Sequence, residues 1–270
     1  MLRPKGFSEY PSSRDMRNIK LTVAYDGTSY SGWQRQKNAV TVQEVLEESI
    51  GVMTGEENRV HGAGRTDAGV HALGMISHFH TDASIPCSGF IKGLNGILPD
   101  DIRVLSAVEV QLDFHARFDA IGKSYQYNFI ICPTLFPTER LYNAHLHQET
   151  SFDCAALSDC LEILIGEHDF SSFEASGSRD LSIVGGAGAV REIFTAKLFE
   201  REQLPGHYTI EISGNGFLRH MVRNIVGTIF EVGFGNTTVQ EFRAILHGKD
   251  RSLAGPTAPA KGLFLKEVFY

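Results

Sequence analysis

The chain has 270 residues, 42% of them hydrophobic and 21% charged, and 25 Lys and Arg against 32 Asp and Glu leave a net charge of −7. This balance excludes intrinsic disorder, a collagen-like repeat and a disulfide scaffold as descriptions of the whole, and predicts about two domains, or one large one, with a core that needs no staples. No apolar run reaches the ~18 residues of a membrane span and Met1–Lys20 contains no apolar leader, so a cytoplasmic protein is expected.

Residues 1–17 carry Arg3, Lys5, Arg14 and Arg17 against Glu9 and Asp15 and are expected to form a flexible basic tail. From Ile19 to Tyr25 apolar residues alternate with Lys20, Thr22 and Ala24, the period of a strand, and Asp26-Gly27-Thr28 turns the chain. Thr41-Val42-Gln43-Glu44 reads as a capping box, and Val42, Val45, Leu46, Ile50 and Met53 follow at helical spacing up to Gly55. Gly62 to Gly69 is too glycine-rich for a helix and is expected to be a loop, followed by a strand over 75–80. A short helix over 90–98 stopped by Pro99, a strand over 102–110 and a strong strand over 120–131 come next. Phe152 to Ile165 reads as an amphipathic helix, and 171–188 as a long Ser/Gly/Ala loop of the kind that is often functional or disordered. Strands over 192–199 and 208–213 are expected to pair as a hairpin. Helices over 217–232 and 239–246 and a strand over 263–268 complete the chain. Interleaved helices with hairpins favour an α+β fold over a parallel α/β sheet.

Three segments carry candidate chemistry. In His61-Gly-Ala-Gly-Arg-Thr-Asp-Ala-Gly-Val-His71 the glycines permit close backbone approach, and Arg65 and Asp67 sit two apart in the loop. The segment matches neither the P-loop nor the dinucleotide fingerprint. In Gly214 to Gly227 an apolar stripe is expected on one helical face, with Arg219 and Arg223 four residues apart on another, a pair of guanidinium groups suited to phosphate or carboxylate. Phe114-His-Ala-Arg-Phe118 and Lys123-Ser-Tyr-Gln-Tyr127 interleave aromatic and basic residues as a base-stacking platform does, although aromatic strand residues more often serve a core. The pairs His78/His80 and His145/His147 lack metal-ligand spacing, no G-x-S-x-G elbow occurs, and Cys87, Cys132, Cys154 and Cys160 form no C-x-x-C pair. No metal is expected, and the thiols are expected to be free and buried.

Gly64-Arg-Thr-Asp-Ala-Gly-Val-His71 resembles the signature loop of the tRNA pseudouridine synthase A family. Tyr25-Asp-Gly-Thr28 with Gly32-Trp-Gln34, Leu94-Asn95, Leu98-Pro99, Asp101-Ile102, Phe114 to Phe118, Phe217 to Gly227, and Ala258-Pro-Ala260 with Gly262-Leu263 resemble its other motifs in the same order, so the likeness runs from about Ile19 to Tyr270. The resemblance implies isomerisation of uridine to pseudouridine at positions 38, 39 and 40 of the tRNA anticodon arm, without metal or organic cofactor. It implies that Asp67 is the essential residue, that Tyr125 contacts the flipped uracil, that Arg223 pairs with Asp67, and that Arg65 helps hold the target nucleotide out of the stack. It implies a mixed, mostly antiparallel sheet with flanking helices, in two similar halves around one cleft, and a homodimer with tRNA lying across both subunits. The expected halves are 18–113, carrying the Asp67 loop, and 114–270, carrying Tyr125 and the Arg219/Arg223 helix.

The chemistry of such a reaction constrains the site. A carboxylate inside a cleft resists ionisation unless a guanidinium offsets its desolvation, so an Asp67–Arg223 ion pair is expected. Attack on uracil C6, attack on ribose C1′ and proton abstraction at C2′ all remain open for Asp67. With a net negative chain, tRNA binding is expected to rest on Arg35, Arg65, Arg117, Arg219 and the tail, and to weaken with salt. Three other readings use the same residues: an RNA glycosidase, a tRNA-binding protein without catalysis, and a metabolic enzyme. The glycosidase needs a second carboxylate that the signature loop does not supply.

Overall fold

A computed structural model describes residues 16–147, 152–177, 188–201 and 204–270. The expected tail therefore lies outside the described residues except at its end, as does the middle of the 171–188 loop. Arg17, expected in the tail, instead opens the first strand. Its guanidinium bonds Glu109 and donates to the carbonyls of Ala83 and Ile85, which fixes it in place.

The strands are β1 (Arg17–Tyr25), β2 (His61–Gly62), β3 (His71–Thr81), β4 (Ile102–Val110), β5 (Gly122–Cys132), β6 (Ala144–His147), β7 (Gly166–Asp169), β8 (Val190–Glu200), β9 (His207–Gly214) and β10 (Leu263–Phe269). The helices are α1 (Val42–Thr54), α2 (Cys87–Ile97), α3 (Cys154–Ile163), α4 (Met221–Gly233) and α5 (Val239–Gly248). The strands form one ten-stranded sheet in the order β4-β1-β3-β10-β5-β9-β8-β7, with β2 on β3 and β6 on β5. All pairings are antiparallel except β3 with β10 and β5 with β6. The fold is thus α+β with a mixed, mostly antiparallel sheet.

The last strand of the chain joins the two sets of strands. Leu265 of β10 pairs with Ala72 of β3 on one side and Tyr125 of β5 on the other. At about 4.8 Å per strand, this sets Tyr125 roughly 10 Å from the residue that follows the signature motif. The period-two pattern of β1 buries Ile19, Leu21, Val23 and Tyr25 under α1, whose Val42, Leu46 and Ile50 are fully covered. In the other half Phe129, Phe152, Phe230 and Tyr127 pack ring against ring between β5 and α4. All four cysteines are free, and only Cys160 is fully buried.

Two expected helix starts are revised. Thr41 caps α1 by accepting from the Glu44 amide, but Glu44 does not complete a box, because its carboxylate is drawn to Arg35 at 3.4 Å. The complete box stands at α5, where Thr238 and Glu241 bond reciprocally. The helix expected from Phe217 begins only at Met221, because His220 lies at φ 61, a left-handed conformation that a right-handed helix cannot contain.

Candidate active site

The loop between β2 and β3 is held from beneath by the segment after β1. Trp33 is fully buried, its amide donates to the Thr66 carbonyl at 3.1 Å, and a Cβ at Gly62 would lie 2.6 Å from the indole. Only glycine lets this loop settle on the ring. The Tyr25 hydroxyl and Thr66 Oγ1 are 2.8 Å apart in a buried hydrogen bond. At the end of the motif, His71 is buried against Phe264 and its Nδ1 accepts from the Gly27 amide at 3.0 Å. Thr66, between Arg65 and Asp67, and His71, at the end of the motif, thus serve to anchor the loop.

Asp67 itself is half-buried. Its Oδ2 lies 3.4 Å from Arg223 Nη1 and 3.4 Å from His220 Nε2. Among the described residues, Oδ1 has no hydrogen-bond or ion-pair partner. A separation of 3.4 Å is long for a charge-assisted bond, so Arg223 acts on Asp67 more by charge than by a short hydrogen bond. Arg223 stands in the first turn of α4. Its Nε donates to the Ala258 carbonyl at 2.8 Å, while its own carbonyl accepts from the Ala258 amide at 3.0 Å. The 256–258 segment reaches α4 this closely because residue 227 is glycine: a Cβ there would sit 1.8 Å from the Pro256 carbonyl oxygen.

Tyr125 lies across the cleft floor. Its ring meets Phe217 edge-on at 5.0 Å, and burial, with the Asp67 charge second, pushes its hydroxyl well above the usual phenol range. At neutral pH the hydroxyl is a proton donor and not a phenolate. The His220 imidazole is held below its ordinary range, first by burial and then by the guanidinium groups of Arg223, Arg219 and Arg251, against the opposing pull of Asp67. It is neutral at pH 7 and leaves the charge on Asp67 to Arg223.

These groups open into a cleft of about 1210 Å³, larger than the roughly 300–1,000 Å³ of small-molecule pockets. Its lining includes six basic residues, Arg59, Arg65, Arg117, Lys123, Arg219 and Arg223, and one carboxylate, Asp67. Local charge in the cleft is therefore positive although the chain is negative. The structure brings Asp67, Arg223, Tyr125, Arg65, Arg117 and Arg219 to this one cleft. Arg65 donates to Gln34 Oε1 at 3.0 Å, and Arg117 lies over the exposed Phe118 ring. Arg219 is exposed but precedes α4, so it does not share a helical face with Arg223. Arg35 is not among the lining residues, and its guanidinium is engaged by Glu47 at 2.9 Å and Glu44 at 3.4 Å. Sequence reasoning missed His220, because nothing in the local pattern marks a left-handed residue just before α4. It also missed Trp33 and Gly227 as the residues that seat the loop and α4.

A sheet-floored basic cleft that is too large for a small metabolite, and that holds one carboxylate beside a guanidinium and a tyrosine, defines a protein that acts on a polyanion. Comparison with known proteins specifies the class. The family model for tRNA pseudouridine synthase matches residues 21–119 and 161–270. The tRNA pseudouridine synthase A 1 of Desulfotalea psychrophila is 52% identical over 255 residues, covering 94% of this chain and all of that protein. The tRNA pseudouridine synthases A of Acetivibrio thermocellus and Ruminiclostridium cellulolyticum are 44% and 43% identical, each over 94% of this chain and their whole lengths. The chain belongs to the tRNA pseudouridine synthase family.

Proposed function

We propose that this protein isomerises uridine to pseudouridine in tRNA, at positions 38, 39 and 40 of the anticodon stem-loop, with Asp67 as the essential group. The observation that carries this reading is the one carboxylate among the described residues lining the cleft, with Oδ2 3.4 Å from both Arg223 and His220 and, among the described residues, no partner on Oδ1. Conversion breaks N1–C1′, turns the uracil and forms C5–C1′, and the proton lost from C5 is balanced by one gained at N1. No net oxidation or hydrolysis occurs, so the reading requires neither metal nor organic cofactor.

Asp67 supplies Oδ1 as the nucleophile or base, with the Arg223 guanidinium beside Oδ2. The target base must leave the stack, which costs a few kcal/mol. The Tyr125 ring offers it a face, and the hydroxyl is a donor to the uracil rim. Arg65, exposed in the loop that carries Asp67, would occupy the space the base vacates. Basic residues of the cleft, Arg117 and Arg219 among them, meet the RNA backbone. A glycosidase usually uses two carboxylates, and one is present among the described residues that line this cleft. The reading extends to a homodimer that shares one tRNA across both subunits and works in the cytoplasm.

The test is pseudouridine mapping on unmodified tRNA transcripts with wild-type protein and Asp67→Asn, without added metal or cofactor. Wild type is expected to convert uridines at positions 38–40, and the variant to bind the transcript without converting it. An Asp67→Asn protein that still converts uridine would overturn the role of Asp67. Free uracil in place of pseudouridine would overturn the reaction.

A further inference from the structure

Lys123 is the one lysine lining the cleft, and nothing in the reaction above uses it. It lies on the same face of β5 as Tyr125, two residues away, which is about 7 Å along the strand. Its backbone pairs with Gly214 of β9. The side chain reaches the start of the Asp67 loop, where a Cβ on Gly64 would stand 3.3 Å from Nζ and 3.6 Å from Cε. Among the described residues the ammonium has no hydrogen-bond or ion-pair partner. The charged groups that act on it are Arg117 and Arg191, both cations, and together with burial they lower its pKa.

A partly buried ammonium acted on by two guanidinium groups is a costly arrangement for the fold alone, since burial and like charge both disfavour the charged form. An anion beside Lys123 and Arg117 would offset this cost. In a cleft for RNA the available anion is the backbone phosphate, and one nucleotide spans a distance comparable to the separation of Lys123 from Tyr125. Lysine suits this role as a compact point charge with three donors.

We propose that Lys123, with Arg117 beside it, forms a phosphodiester subsite that holds a phosphate flanking the target uridine, and so registers the flipped base over Tyr125. This rests on the reading that the cleft binds tRNA for uridine isomerisation. Gly64 belongs to the same device, because any side chain there would press on the ammonium.

The test compares wild type, Lys123→Met, Lys123→Gln and Lys123→Arg in tRNA binding across a salt series, with thermal melting of each protein. Loss of one phosphate contact should weaken binding about 10-fold and flatten the dependence of log K on log salt by about one unit, uniformly across tRNA sequences. Lys123→Arg should retain the slope. The Met and Gln variants should melt no lower than wild type, because an unpaired buried charge has been removed. A transcript with a neutral methylphosphonate on the 5′ or the 3′ side of the target uridine should, at one of those two positions, weaken wild-type binding to the level of Lys123→Met and leave Lys123→Met unaffected. An unchanged salt slope in both neutral variants, additive losses at both methylphosphonate positions, or lower melting with intact binding would each overturn the subsite. Wild-type protein that forms pseudouridine while the variants show any of these results leaves the function standing and removes only the subsite. Wild-type protein that neither binds nor converts tRNA removes both.

Discussion

Gly227→Ala tests whether the packing of α4 sets the active-site geometry. An Ala Cβ would stand 1.8 Å from the Pro256 carbonyl oxygen and 3.1 Å from the Ala258 amide nitrogen. A carbon and a carbonyl oxygen need about 3.3 Å, so α4 and the 256–258 segment must part by roughly 1.5 Å. Both atoms are backbone, so no side chain can swing aside. The parting acts on the two hydrogen bonds between Arg223 and Ala258, and through them on the guanidinium beside Asp67. Alanine itself favours a helix interior by about 1 kcal/mol over glycine, while overpacking costs typically 1–3 kcal/mol, so the net loss of stability is modest, about 0–2 kcal/mol. The loss of catalysis is larger, since a displacement of about 1 Å in a positioning group costs on the order of 100-fold. The assay is kcat/KM for pseudouridine formation together with urea unfolding, with Gly96→Ala as the control. Gly96 is exposed near the end of α2 with nothing within 4 Å of its Cβ position, so alanine there should stabilise by about 0.5–1 kcal/mol and leave activity alone. A Gly227→Ala protein with wild-type stability and activity within threefold of wild type would refute the coupling of α4 packing to Arg223.

Two further outcomes follow from the same geometry. His220 is one of two described non-glycine residues at positive φ, so His220→Gly should relieve backbone strain and stabilise the fold by about 1 kcal/mol while lowering kcat, because Asp67 Oδ2 loses a neighbour; unfolding and turnover measured on one preparation separate these effects, and a fall in both would show that the imidazole holds the fold. His78 is 1% exposed, and burial followed by the charges of His115, His61 and His80 lowers its pKa to about 4. The unfolded chain takes up this proton first, so stability should fall as pH drops below 6.5 and the loss should level off below about 4, amounting to about 3 kcal/mol. His61, His71 and His220 are shifted in the same direction and add to the decline. Because His78 Nδ1 accepts the Ala116 amide at 3.1 Å, the same protonation should release the loop carrying Arg117 and Phe118. Equal urea midpoints at pH 7.5 and 4.5 would refute this account.

What was legible in the sequence was what local pattern encodes. Alternation marks β1 and β5 because one face of each meets the core, and the glycine-rich run before His71 marks a loop that must lie on something. What it lies on, Trp33, is thirty residues away, and no local pattern ties an indole to a glycine. The short strands β6 and β7 were missed because Ala144–His147 and Gly166–Asp169 have too few apolar residues to show a period; their neighbours recruit them. Capping failed in an instructive way. The spacing of Thr41 and Glu44 is that of a box, as is the spacing of Thr238 and Glu241, and only the presence of Arg35 beside the first pair decides which one closes.

The site residues divide along the same line. Arg65 and Asp67 stand out in the sequence as a charged pair inside a glycine-rich loop, a pattern that a solvated turn also produces, and it is the family resemblance that gives them roles. Arg35 was misjudged, because its acidic partners lie nine and twelve residues on, across the start of α1. Arg219 was placed in the correct cleft for the wrong reason: the helical spacing to Arg223 is real in the sequence, yet the left-handed turn at His220 interrupts it. A non-glycine residue at positive φ is disfavoured locally, and at His220 it ends any helix that would run on from Phe217. Local preference therefore gives way at the point where three elements, the Asp67 loop, α4 and the 256–258 segment, must meet, and the residues that yield, His220 and Gly227, are those whose variants most directly separate stability from catalysis.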